Sequence, residues 1–159
     1  MPDDATMTMK AVILPDDIQQ TLKDLTCSYT PADASEKWYY KLVTVVNTTN
    51  TTDLISGNLI DSGYEEIAAT DKVKFLFIKN TATTDGSSAT DDSILLSLSG
   101  ATVANTLSDT IEIGQGESWF AKIPNVTAGD IHARTVEAGS GSHGSGSVQC
   151  IIAAIIDDL

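Results

Sequence analysis

The chain has 159 residues and a mass of 16.8 kDa, the size of one ordinary domain, and its 42% apolar content suffices for a core without a metal or disulfide. Nine Lys plus Arg against 22 Asp plus Glu give a net charge of −13, and the single arginine, Arg134, cannot supply the forked phosphate contacts that nucleic-acid binding relies on. DNA, RNA and anionic membrane surfaces are therefore not expected as direct partners.

Met1–Met9 is polar, carries Asp3 and Asp4 and has no cationic leader region, so it reads as a mobile arm rather than a signal peptide. A short strand, Lys10–Leu14, follows and is stopped by Pro15. From Pro15 to Leu25 the acids come first and Ile18, Leu22 and Leu25 recur at helical spacing, which predicts one short amphipathic helix. Over Lys37–Val46 the period switches to 2, predicting a long strand largely buried on both sides.

Asn47–Thr52 is a polar turn. Its sequons at Asn47 and Asn50, like the later one at Asn125, are what chance gives in a chain with 20 Thr and 15 Ser. Further strands are predicted at Leu54–Asp61, Val73–Lys79, Ile94–Ser99, Thr110–Ile113, Ser118–Ile123, Ile131–Glu137 and Val148–Ile156. Turn clusters separate them: Thr81–Asp92, Gly114–Gly116, Pro124–Asp130 and the Gly/Ser nonapeptide Gly139–Ser147. Gly114–Glu117 and the nonapeptide read as hairpin turns, the former with positive φ at both glycines.

The expected fold is an all-β antiparallel β-sandwich, jelly-roll or Ig-like, with one short N-terminal helix. Residues 1–14 form an arm and strand, and 15–159 a single domain with no internal repeat. Trp38, Leu42, Phe75, Phe77, Leu96, Ile113, Phe120 and Ile152 are the expected core contributors. The longest apolar run, Cys150–Ile156, has seven residues, far below the roughly 20 of a membrane-spanning helix, and it must meet another layer or subunit on one face.

Little chemistry is legible. Cys27 and Cys150 sit among apolar or small residues 123 positions apart, which favours two reduced core thiols over a disulfide. Of two histidines, His143 lies in the Gly/Ser nonapeptide and His132 alternates with Ile131 and Ala133 on a strand, an ordinary surface or partly buried imidazole. The Asp pairs do not converge, and Asp85–Asp92, the best calcium candidate, lacks the closing Glu of an EF-hand. No catalytic residue, metal, cofactor or small-molecule substrate is expected.

The segment Asp71–Asn80, then Ser93–Leu98, Ile111–Asn125, Ile131–Ala133 and Val148–Asp158 resembles structural proteins of tailed-bacteriophage virions, those of marine and cyanobacterial phages in particular. The resemblance spans residues 71–158 and rests on packing and turn motifs. It implies a capsid decoration (cement) protein, made in the host cytoplasm and held on the capsid surface of the virion. Such a protein would be non-enzymatic, homotrimeric, and bound to the major capsid protein through an N-terminal arm. Met9, Lys10, Val12 and Leu14 of the arm and strand, with Trp38 and Ile155, are then the candidate interaction residues, the arm ordering on a neighbour partly by strand addition. The alternative is a neck, tail or fibre module that binds a host-surface glycan through Trp38, Tyr39 or Trp119.

Overall fold

The computed structural model describes residues 5–9, 25–46, 51–59, 65–100, 110–137 and 146–158. Within them lie ten strands: β1 (Ala5–Met9), β2 (Leu25–Tyr29), β3 (Glu36–Val45), β4 (Thr52–Asp53), β5 (Lys72–Asn80), β6 (Ser93–Ser97), β7 (Ile111–Ile113), β8 (Ser118–Thr127), β9 (His132–Val136) and β10 (Val148–Asp157). A 3-10 turn, Ala128–Asp130, joins β8 to β9. All pairings between these strands are antiparallel.

Two four-stranded sheets share one core, one in the order β3-β10-β5-β8 and the other β4-β9-β6-β7; β1 and β2 form a separate hairpin sheet. From β3 to β10 the chain crosses between the two large sheets at every connection except β6 to β7. The period-2 pattern produces this directly. Tyr39, Val43 and Val45 of β3, Leu76 and Ile78 of β5, and Val148, Cys150, Ile152, Ala154 and Ile156 of β10 face Ile94, Leu96, Ile113 and Ala133 of the other sheet across the core. A β-bulge at Lys74 lets β5 change faces, so Val73 joins this core while Phe75 stays on the outer side with Ile155.

Several expectations are corrected. Ala5–Met9, placed in a loose arm, is a strand paired with Leu25–Tyr29, because Ala-Thr-Met-Thr-Met already alternates and β2 supplies its ladder partner. Leu25, expected to end a helix, opens β2; residues 15–24, the rest of that helix, lie outside the described residues. Of the strand expected over Leu54–Asp61, residues 60–61 lie outside the described residues and 54–59 are not a strand: ladder pairing stops at Asp53, and Leu54 and Leu59 are buried from an irregular segment held by an isolated Asn58–Glu66 bridge. Pro124–Thr127, expected as a turn, continues β8, where Pro124 is tolerated because β8 is an edge strand of its sheet.

Neither expected hairpin around the later glycines forms. β7 and β8 lie in different sheets, as do β9 and β10, so both connections cross the core. At Gly114–Glu117 only Gly116 takes a positive φ, +72°; Gly114 instead donates its N–H to Glu117 Oε2 at 2.9 Å.

Of the expected core, Phe75, Leu96, Ile113 and Ile152 are buried, while Trp38, Phe77 and Phe120 are half-buried on the outer face. Leu42 is 50% exposed: β3 is buried on its inner side only.

Candidate functional site

Two places concentrate side chains with something to do: the outer face of the β3-β10-β5-β8 sheet and a cleft beside His132. The outer face is apolar along its middle. Phe75 and Ile155 are buried there, with Cys27 and Tyr29 of β2 and with Trp38, Phe77 and Phe120 packed round them. The β1–β2 hairpin is thus the layer that the apolar Cys150–Ile156 run requires, and it covers only part of the face. Tyr29 fixes the hairpin's end, its hydroxyl donating to Glu36 Oε1 at 2.7 Å, and Glu36 in turn accepts from the Ala32 N–H. Beyond the hairpin's reach Tyr40, Leu42 and Val46 are 58%, 50% and 36% exposed, the large exposed hydrophobics of the described residues, the first two on β3 and the third just after it.

Charge is distributed unevenly around this face. Six of the eight lysines stand on its strands: Lys37 and Lys41 on β3, Lys72, Lys74 and Lys79 on β5, Lys122 on β8. The opposite sheet carries one cation, Arg134, and it is buried. Acids on the lysine-bearing sheet are confined to one end, Glu36 and Asp157, the latter bound by Lys74 at 2.8 Å.

The candidate interaction residues separate accordingly. Ile155 is wholly buried and meets its own hairpin, Trp38 is half-buried beside it, Met9 closes β1 opposite Leu25, and Lys10, Val12 and Leu14 lie outside the described residues. Of the aromatics named for a glycan, Tyr39 is buried with its hydroxyl donating to the Leu54 carbonyl at 3.2 Å, and Trp119 packs against the inner core. Tyr39 therefore offers no open ring face, and Trp119 is half-buried. Tyr40, which sequence reasoning passed over, is the exposed aromatic of this strand.

The cleft, about 350 Å³, is lined by His132, Asp53, Glu66, Ser56, Ile55 and Gly129 among others. His132 Nε2 donates to the Gly129 carbonyl at 2.8 Å and Nδ1 lies 2.9 Å from Asp53 Oδ1. Nδ1 also lies 3.5 Å from the Thr51 hydroxyl, so both ring nitrogens are engaged and the imidazole acts as a clamp between β4, β9 and the 3-10 turn. The turn is pressed against residue 69, for a Cβ on Gly129 would stand 2.9 Å from the Ala69 Cβ.

No three His, Cys, Asp or Glu side chains converge among the described residues. Asp85, first in the calcium candidate loop, spends its oxygens on the N–H and hydroxyl groups of Ser87 and Ser88, which hold its carboxyl at about 2. Comparison with protein-family models, with curated proteins and with solved structures finds no significant match.

Both cysteines are free thiols, Cys27 half-buried and Cys150 buried. Burial pushes the Cys150 thiol up to about 12 from an ordinary 9.0. Because the fold holds this proton, the stability it supplies is complete below pH 9 and is lost as the pH climbs from 9.0 toward 12. Burial and the Glu36 carboxylate raise the Tyr29 hydroxyl in the same sense. An aromatic disulfide reagent at pH 8 should therefore label Cys27 alone in the native protein and both thiols after denaturation. Equal native labelling of the two would contradict the placement of Cys150.

Proposed function

We propose that the protein is a non-enzymatic structural component of a tailed-phage virion, a decoration protein that binds the assembled capsid where major capsid proteins meet, and that its two sheets form a jelly roll. The observation that carries this reading is the strand order. Sheets ordered β3-β10-β5-β8 and β4-β9-β6-β7 are those produced when two interlocking Greek keys wrap a single core, an architecture recurrent in viral capsid and lectin domains. The likeness of residues 71–158 to virion proteins points to the first of those uses, and those residues supply β5 to β10, six of the eight jelly-roll strands.

The physical properties agree. A protein displayed in many copies around packaged DNA benefits from a charge of −13, which repels the nucleic acid and keeps the array soluble. Binding would then use apolar area from the outer sheet face. A threefold association, implied by the likeness, is a separate proposal and would use a surface other than the β3 edge.

Stoichiometry and position test the assignment. Purified particles should carry hundreds of copies per virion, and a label on the protein should decorate the faces of the head in electron micrographs. A few tens of copies or fewer, confined to the neck, tail or fibres, would replace this reading with the host-recognition alternative.

A further inference from the structure

The free edge of β3 has a self-complementary window. Among the described residues β3 ends one side of its sheet, with only β10 beside it. Gln149 exchanges its backbone groups with Thr81 and Thr83 on the β5 side, so in β10 the odd positions bond toward β5 and the even ones toward β3. Through the register Val148–Val45, Cys150–Val43, Ile152–Lys41, the odd residues of β3 bond β10 and the even ones turn their N–H and C=O groups outward. Val46 confirms the parity, for its N–H reaches Thr52 Oγ1 at 3.2 Å and its carbonyl accepts from Thr135 N–H at 3.3 Å, both outside the sheet.

Between Trp38 and Val46, the outward backbone groups of Tyr40, Leu42 and Thr44 have no partner among the described residues. The same three side chains lie on the outer face, two of them exposed and apolar. Edge strands in soluble proteins are ordinarily protected by a proline, a bulge or an inward-pointing charge, and residues 38–46 have neither a proline nor a bulge. Their one charge, Lys41, is drawn to the inner side, where its ammonium donates to the Ser56 carbonyl at 3.0 Å.

We propose that β3 pairs antiparallel with β3 of a second copy about a two-fold axis through Leu42. The midpoint of the open window fixes the register: Leu42 faces Leu42, Tyr40 faces Thr44 and Thr44 faces Tyr40. Six backbone hydrogen bonds close over about 17 Å of strand. Lys41 faces Val43, so no like charges meet. Charge also selects this edge: two chains of net charge −13 repel over most of their surface, but no acid lies anywhere in Lys37–Val46. The two outer sheets become one eight-stranded sheet on which the partners' Tyr40 and Leu42 rings and branches pack side by side. Such a contact is smaller than the ~800 Å² per partner of a standard interface, so association is reversible and grows with local concentration. It closes on itself as a dimer, or joins two trimers, and it stands independently of the virion assignment.

Cysteine cross-linking reads the register. Directly opposed hydrogen-bonded residues have Cα atoms about 5.5 Å apart, which a disulfide spans, whereas Tyr40 and its two-fold mate would be roughly 14 Å apart. In a Cys27→Ala background at ~100 µM, Leu42→Cys should oxidise to a covalent dimer at least tenfold faster than Tyr40→Cys. The unsubstituted chain should sediment as a monomer–dimer mixture at a few hundred micromolar, and Leu42→Lys, at a half-exposed position, should sediment as a monomer with an unchanged dichroism spectrum and melting temperature. Equal oxidation of the two cysteine variants, or a monomer for the unsubstituted chain at that concentration, would overturn the proposal and leave the edge to a different partner.

Discussion

Asn80→Leu should lower stability by about 4 kcal/mol and the melting temperature by roughly 8–16 °C, a large fraction of the roughly 5–15 kcal/mol that holds an ordinary domain together. Asn80 ends β5 and is fully buried. Its side-chain amide donates to the Asp92 carbonyl at 3.1 Å and to the Ile113 carbonyl at 3.3 Å, while Oδ1 accepts the Ala82 N–H at 2.8 Å. One side chain thus joins the end of β5 to the segment entering β6 and to the end of β7, where the chain passes from one sheet to the other. Leucine of similar volume takes the side-chain partner from two buried carbonyls and a part-buried N–H, each loss costing about 1–3 kcal/mol. Asn80→Asp should be no milder, because it keeps only the Oδ1 acceptor and turns a carboxylate toward two carbonyls. A thermal melt of Asn80→Leu within 3 °C of the parent would show that these bonds do not hold the crossing.

Phe75→Ala should cost about 3–5 kcal/mol, the usual range for removing a buried phenyl ring, with a consequence that core truncations elsewhere lack. Phe75 and Ile155 are the buried floor on which Cys27 and Tyr29 rest. Removing the ring takes away most of what the β1–β2 hairpin packs against, and a two-stranded hairpin without a layer beneath it is marginal in water. Amide exchange should therefore rise in residues 5–9 and 25–29 at concentrations of denaturant that leave β5, β10 and β3 protected. Leu76→Ala, on the inner side of the same strand, should cost a comparable amount, about 2–5 kcal/mol, yet leave the hairpin's relative protection unchanged. If both variants lose protection uniformly, the hairpin is an integral part of the main cooperative unit.

Strand positions were legible because burial on one face imposes period 2, and β5, β6, β9 and β10 fall within a residue or two of where alternation and β-branched content put them. What alternation does not carry is a partner's identity. Gly114–Glu117 between two apolar runs has the composition of a hairpin turn, yet Ile111 pairs with Leu96 and Ser118 with Lys79. The same composition serves a tight turn within a sheet and a tight crossing between sheets, since both need only a positive φ and a short loop. Leu42 was expected inside for a related reason: an apolar residue in a period-2 run has its face assigned by parity, but whether that face is covered depends on how far a distant hairpin reaches. Ile155 shows the converse, expected at a contact between subunits and covered instead by Cys27 and Tyr29 of its own chain.

His132 illustrates the same division at the level of chemistry. Its strand was readable from its apolar neighbours, but it is buried rather than on the surface or partly so, and its two neighbours, Asp53 and the Gly129 carbonyl, come from β4 and from the turn before β9. Only their joint arrival shows that both ring nitrogens are engaged.

By itself the sequence determined that this chain is an acidic, strand-built protein: hydrophobic period, turn chemistry and charge are local properties that each segment keeps wherever it is placed. The tertiary structure alone decided that Val45 lies beside Val148, that the chain crosses its core at nearly every connection, and that β3 is left as an edge with Tyr40 and Leu42 exposed. Those outcomes join residues more than a hundred positions apart. Their stability comes from burying two faces against each other after the loops between them have closed, and no single segment carries that free energy.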